Sequence, residues 1–281
     1  MRVRIWGCRG SLTTAGRGIV RYGGYTTCIE VRLRDGTLII IDAGSGIHSL
    51  GKSLLAEPGL TDMYLLLTHS HWDHLTGFPF FTPAYLPRYR IHVRGGPDAK
   101  TSLANFLRHQ MDPPYFPVEF SVLKAGFDFG SSDGEEMEVG AAHVQPVPLS
   151  HPNGGYGFRI VEGKSTFVFL TDNELGHAHP GGLREEDYLD AARGADLLLH
   201  DAQYSDEEYQ SRTKGWGHST YTQAAQFAAR AGVKRFGTFH HDPDHDDRAV
   251  DASVRLCRKV MRQAGSRASC FGAAEGMILE L

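Results

Sequence analysis

Met63-Tyr64-Leu65-Leu66-Leu67-Thr68-His69-Ser70-His71-Trp72-Asp73-His74 sets an apolar pentapeptide directly before a dense run of metal-binding side chains. The first five residues have the length of a strand rather than a helix, and a strand without a polar face is covered on both sides. After Thr68 the chain carries His69-x-His71-x-Asp73-His74. In a segment leaving a strand, residues two apart point the same way, so His69 and His71 can share one ion while Asp73 and His74 turn toward a second. Imidazole and carboxylate are borderline-to-hard donors that suit Zn, Mn or Fe, and no thiolate is at hand to select among them. The competing reading, a polar loop with incidental histidines, does not account for four such residues at these offsets.

The flanking sequence extends the pattern. Thr37-Leu38-Ile39-Ile40-Ile41 is a second fully apolar run, ending at Asp42-Ala43-Gly44. Residues 28 to 34 alternate apolar and polar, which predicts a half-buried strand with one wet face, joined to the next by the turn signal Asp35-Gly36. Met1 to Trp6 also reads as a strand, and a short helix is predicted to run to about Leu55. Downstream strands are predicted at 157–161, 165–170, 197–199, 235–239 and 277–281. Ser219 or Thr220 caps a helix that stops at Gly232, and Val250, Val254, Cys257 and Met261 form the apolar stripe of another. Strands and helices intermix with no linker, repeat or low-complexity stretch, so residues 1–281 are expected to form one α/β domain.

Of 281 residues, 29 are Lys or Arg and 33 are Asp or Glu, a net charge of -4, which excludes a globally basic nucleic-acid coat. No run approaches the ~18 apolar residues of a membrane span and the start carries no secretion signal, so a cytoplasmic protein without membrane contact is expected. The four cysteines, Cys8, Cys28, Cys257 and Cys270, are scattered and indicate neither disulfides nor a thiolate site. Charge is uneven. Between Pro79 and Gly126, Arg88, Arg90, Arg94, Lys100, Arg108 and Lys124 face only Asp98, Asp112 and Glu119. This segment, 79–126, is expected to be a basic insert or lid near the active site, able to draw in an anion. Its stiff stretch Gln110 to Val118 contains Tyr115, a candidate substrate contact.

One loop cannot close two metal sites, so further donors must come from strand ends downstream. His151 follows a strand-like Val144 to Leu149, Asp172 follows Thr166 to Leu170, and His240-His241 follows Val233 to Gly237. Each is a weak signal alone, because Asp and His commonly cap strands and turns. Together they supply one His, one carboxylate and one further His.

These motifs, in this order, resemble the metallo-β-lactamase superfamily over about residues 1 to 245. The resemblance implies a four-layer αβ/βα sandwich with two metals at one edge of the paired sheets. It implies that His69, His71 and His151 hold one ion, that Asp73, His74 and His240 hold the other, and that Asp172 bridges. His241 remains the alternative to His240. The cofactors would be two divalent ions, Zn foremost, with Mn or Fe as alternatives. Asp172 stands where true β-lactamases usually carry a cysteine, and His74 is present where some of them lack it. Gly217-His218-Ser219-Thr220 and Ala195 to Asp201 are similar to elements of ribonuclease Z and related phosphodiesterases. Trp6 to Ser11, Pro113 to Pro117 and His240 to Asp244 are similar to bacterial cyclic-nucleotide phosphodiesterase-like members. The protruding Gly/Pro-rich arm by which ribonuclease Z grips transfer RNA is not evident.

The resemblance therefore implies hydrolysis of a small anionic phosphodiester, with a 3',5'-cyclic nucleotide the leading candidate. Asp73 or Asp172 would accept the proton, and His218, with an arginine of the basic segment, would stabilise the departing oxygen. The plain alternative for His218 is a helix entry. A ribonuclease Z-like nuclease, a hydrolase acting on a thioester or lactam, a sulfur dioxygenase and a metal-stabilised binding module are the rivals, since fold alone does not fix function. A nucleic-acid substrate is disfavoured by the acidic total, and a homo-oligomer is compatible with the sequence. His200 is expected to be a hydrogen-bonded core histidine, and His48, His92, His109, His143, His177, His179 and His245 are expected to have no specific role.

Overall fold

The computed structural model describes residues 1–95, 99–130 and 134–281, with side chains from 103 onward in the helix that begins at Ala99. One sheet is built from β1 (Arg2–Gly7), β2 (Cys28–Arg32), β3 (Leu38–Ile41), β4 (Asp62–Leu67), β5 (Arg90–Gly95) and β6 (Gly126–Phe129). The second is built from β7 (Met137–Val139), β8 (Ala142–Pro148), β9 (Tyr156–Glu162), β10 (Ser165–Leu170), β11 (Leu197–Asp201), β12 (Arg235–Phe239) and β13 (Ser269–Gly272), while β14 (Ile278–Glu280) returns to the first. The strand orders are β14-β1-β2-β3-β4-β5-β6 and β13-β12-β11-β10-β9-β8-β7. Each sheet is antiparallel on one side and parallel on the other, β3 to β6 and β10 to β13 being the parallel parts. The sequence shows no repeat, yet the two halves share this plan.

Side-chain alternation along the strands makes the layers. In β3, Ile39 and Ile41 enter the core between the sheets, while Leu38 and Ile40 pack outward with Ile47, Leu50 and Leu54 of α1 (Ile47–Leu54). In β10, Phe167 and Phe169 face the first sheet. Val168 and Leu170 face outward to a cluster with α4 (Glu185–Ala192), α6 (Tyr221–Ala231) and α7 (Asp247–Gln263). Between α1 and α4 lie α2 (Trp72–Leu75) and α3 (Ala99–His109), and α5 (Asp206–Glu208) runs into a π-turn at Tyr209–Thr213. Three apolar layers separated by two sheets are the expected four-layer αβ/βα sandwich. Among the described residues no helix is long and apolar enough to cross a membrane.

Local expectations hold with some corrections. Thr220, not Ser219, caps α6 through a capping box with Gln223, and Gly232 ends the helix at φ +66°. The stripe Val250, Val254, Cys257 and Met261 is buried along α7, whose N-cap is Asp246. β2 is not half-wet. Glu30 is buried, accepting from Trp6 Nε1 at 2.8 Å and from Arg32 Nε at 2.8 Å, so its polar face is covered by partners from β1 and from β2 itself.

The 79–126 segment, expected as a basic insert or lid, contributes to the first sheet. It supplies β5, whose Ile91 and Val93 are buried in the outer core with Leu103 and Leu107 of α3, and it ends at the edge strand β6. Three of its four arginines meet local partners: Arg94 pairs with Asp128 at 2.7 Å, Arg88 lies on Tyr89, and Arg108 lies over the ring of Phe120. Asp98 and the side chain of Lys100 lie outside the described residues.

Candidate metal centre

The chemistry-bearing residues meet because they occupy the C-terminal ends of strands, where open α/β sheets leave a crevice. Asp42 follows β3, His69 to His74 follow β4, His151 follows β8, Asp172 follows β10, Asp201 ends β11 and His240 follows β12. Three of these, Asp42, Asp172 and His240, adopt left-handed backbone at φ +62°, +54° and +56°. Asp and His tolerate that region better than most residues, and each instance still costs about 1–3 kcal/mol that the surroundings must offset.

Two groups of donors result: His69, His71, His151 and Asp172, and Asp73, His74, Asp172 and His240, the donor atoms of each lying within 4.8 Å of one another. Asp172 belongs to both. Its Oδ2 faces Nε2 of His69 at 3.6 Å and of His151 at 3.7 Å, and its Oδ1 faces Nε2 of His74 and of His240, both at 3.4 Å. His240 Nε2 also lies 3.1 Å from Asp73 Oδ2. His241 is turned away, with Nε2 on the Ala273 carbonyl at 2.9 Å, and burial pushes its pKa down to about 3.

The outward ring nitrogens of four of the five histidines are held. His74 Nδ1 meets Asp42 Oδ2 at 2.7 Å, His69 Nδ1 meets Thr68 Oγ1 at 3.0 Å, His151 Nδ1 donates to Gly217 O at 3.0 Å, and His240 Nδ1 donates to Gln203 Oε1 at 2.8 Å. Such contacts fix the tautomer and leave Nε2 as the inward donor, which is how outer groups orient metal-binding histidines. Thr68 Oγ1 in turn lies 2.8 Å from Asp42 Oδ2, and the Ser11 amide donates to Asp73 Oδ2 at 2.8 Å.

Whether this pocket suits a cation can be judged from its own atoms. Nε2 of His69 and Nε2 of His74 are buried and have no hydrogen-bond partner. Burial alone would raise the carboxyls of Asp73 and Asp172, but the surrounding imidazoles outweigh it and hold both well below the usual range. Burial drives His69 well below its ordinary value and His151 down to about 4, so both are neutral donors. His74 is the exception: burial lowers it, but Asp73, Asp172 and Asp42 together raise it well above. A pocket that stabilises positive charge at its centre, with His69 and His151 as neutral donors and Asp73 and Asp172 ionised, fits divalent metal ions.

His218 lies beside this centre. It is buried, its ring stacks on His240 with centroids 4.8 Å apart and meets His151 edge-on at 5.3 Å. Its Nδ1 is 3.6 Å from Asp201 Oδ2, too long for a hydrogen bond. Burial lowers its pKa, but Asp201 and Asp172 raise it to a net upward shift. His200 is a core histidine on Asp201 O and Phe227, as expected. Tyr115 is exposed and its ring contact is with His109. His179, expected to have no role, binds Glu174 at 2.8 Å because the loop folds back over that buried carboxylate.

No sequence pattern assigns a role to Ser11, Thr68, Glu174 or Gln203. Each acts through a hydrogen bond to a residue distant in the chain or through its backbone, and neither leaves a spacing signal.

Comparison with known proteins bears on this geometry. Residues 37–241 match the β-lactamase superfamily domain. A ribonuclease Z of Exiguobacterium sibiricum is 29% identical over 228 residues, covering 68% of this chain and 74% of that protein. Among solved structures, the metallo-β-lactamase fold protein YhfI from Bacillus subtilis superposes with a TM-score of 0.72 at 17% identity, covering 99% of both chains. A diphosphatase of the PhnP family superposes with a TM-score of 0.69 at 20% identity, covering 100% of this chain and 97% of that one.

Proposed function

Because the chain belongs to the β-lactamase superfamily domain family and is similar to ribonucleases, we propose that it is a dimetal hydrolase of a small phosphodiester, with a 3',5'-cyclic nucleotide the leading candidate. The observation that carries this is Asp172, a single carboxylate presented to both donor groups, one oxygen to each. His69, His71 and His151 would hold one divalent ion, Asp73, His74 and His240 the other, and Asp172 would join them. Bound there, such ions supply Lewis acidity toward phosphoryl oxygens and lower the pKa of water, which removes the need for a covalent nucleophile.

The chain's own residues do the rest. The Ser11 amide donates to Asp73 Oδ2, which leaves its other oxygen to orient a water or receive its proton. His218, with an upward-shifted pKa and the carboxylates of Asp201 and Asp172 near it, is suited to donate a proton to a departing oxygen. Tyr115 would be a more distant substrate contact. Arg88, Arg94 and Arg108 of the 79–126 segment rest on local partners, so charge toward the substrate is assigned chiefly to the centre itself.

A compact substrate is supported by the net charge of -4, which leaves little surface for the many phosphate contacts of an RNA complex. The ribonuclease Z relatives favour a second reading, cleavage of RNA at the same centre. Both are tested by metal analysis of purified protein followed by a panel of cyclic nucleotides, nitrophenyl diesters and monoesters, a thioester, a β-lactam and precursor transfer RNA. Chelator-sensitive turnover with diester well above monoester supports the proposal. A preference for precursor transfer RNA moves it to the second reading, and a preference for thioester or lactam defeats both.

A further inference from the structure

We infer that Glu174 is the positioning residue that builds one wall of the metal centre, by clamping the Gly215–Gly217 backbone from which His151 and His218 take their places. Glu174 is 1% exposed and no mechanism given above uses it. Its two carboxylate oxygens are saturated by four donors. Oε1 accepts from Tyr209 Oη at 2.6 Å and the Gly215 amide at 2.7 Å, and Oε2 accepts from the Gly217 amide at 2.7 Å and His179 Nε2 at 2.8 Å. Charge-assisted bonds of this length are the strong kind, and four donors aimed at one group require an acceptor-only side chain.

The consequence reaches the centre through one residue, Gly217. The Gly217 amide is fixed by Glu174 while the Gly217 carbonyl receives His151 Nδ1 at 3.0 Å, and the next residue is His218. The Glu174 amide also donates to Ser150 O at 2.8 Å, on the residue before His151. Glu174 therefore joins the loops after β8 and β10 to the loop before α6, yet it touches neither donor group. The π-turn at Tyr209–Thr213 presents Tyr209 to the clamp, and such turns recur at functional sites.

Glutamine at 174 would place an amide nitrogen against two donors, so the clamp has no neutral substitute. This inference rests on the dimetal reading, and it is tested on metal affinity as well as on rate. Zn²⁺ binding to the wild-type chain, to Glu174→Gln and to Tyr209→Phe is measured by competition with a chromophoric chelator, alongside kcat and KM on a nitrophenyl diester. Glu174→Gln is expected to weaken one of two Zn²⁺ ions by about 10–100-fold, the range for lost outer-shell partners, with kcat falling and KM little changed. Tyr209→Phe removes one donor and should give a smaller loss at the same ion. Leu189→Ala, in the outer core away from the centre, should lower Tm while leaving both affinities intact. If wild type binds two ions and both clamp variants bind two as tightly, the inference fails and the dimetal reading survives. Equal affinity losses in Leu189→Ala would reduce Glu174 to general stability and overturn the inference. A wild-type chain that binds no Zn²⁺ defeats both.

Discussion

Replacing Gly217 with Ala should damage the centre far more than its change in size suggests. Gly217 sits at φ +92°, where an L side chain costs about 1–2 kcal/mol. An added Cβ would stand 2.0 Å from His151 Nδ1 and 2.4 Å from Pro152 Cδ, whereas ordinary contact begins at 3.4 Å. His151 must retreat by roughly 1.4 Å, or the loop must shift and release it, and a displacement near 1 Å at a reacting centre costs on the order of 10²-fold in rate. Gly232 supplies the matched control: its φ is +66° and an added Cβ meets nothing within 4 Å, so Gly232→Ala carries the backbone cost alone. Thermal unfolding, bound metal and kcat/KM on a nitrophenyl diester would be compared for both. Gly232→Ala should lose about 1–2 kcal/mol of stability and keep full activity. Gly217→Ala should lose at least as much stability, about 10² or more in kcat/KM, and most of its affinity for one ion. Two tightly bound ions and wild-type kcat/KM in Gly217→Ala would refute the reasoning.

Asp172→Ala should release at least one metal and abolish turnover, since one oxygen faces each donor group; a fully metallated, active variant would remove Asp172 from the shared position. His218→Ala should keep two metals and lose on the order of 10²-fold or more in kcat, and metal loss would instead make it a ligand. His241 is neutral when buried, with a folded pKa near 3 against 6.5 unfolded, so the unfolded chain binds the extra proton and stability falls as pH drops from 6.5 toward 3. By linkage that is about 2 kcal/mol between pH 6.5 and 5, and His241→Gln should lack that part of the loss in urea titrations at the two pH values. An unchanged pH slope in the variant would show that His241 does not carry it.

The strand ends carried most of what the sequence disclosed. Apolar runs ending in Asp42, His69, Asp172 and His240 are local patterns, and the parallel halves of both sheets deliver them to one edge. Burial of Glu30 was not legible, because alternation along β2 reports only that one face is polar, while Trp6 and Arg32 decide whether it is wet. The clamp at Glu174 was equally hidden: its partners are 5, 35, 41 and 43 residues away, and two of them are backbone amides of glycine. Nor does sequence reveal that Asp42, Asp172 and His240 would be left-handed, since Asp and His occur at ordinary turns as readily. The charge sum of segment 79–126 does not disclose the partners that Arg88, Arg94 and Arg108 take in the fold.

His69, His71, Asp73 and His74 belong to the sheet of β4, and His151, Asp172 and His240 to the sheet of β8, β10 and β12. Ions held by all seven would act as a clasp across the seam between the two leaves, remote from the apolar side chains that glue them. Opening the seam and emptying the clasp then become one thermodynamic event. Each ion's occupancy would stabilise the closed leaves, and loosening the glue anywhere along Phe167, Phe169 or Phe239 would weaken the grip on metal without touching a ligand.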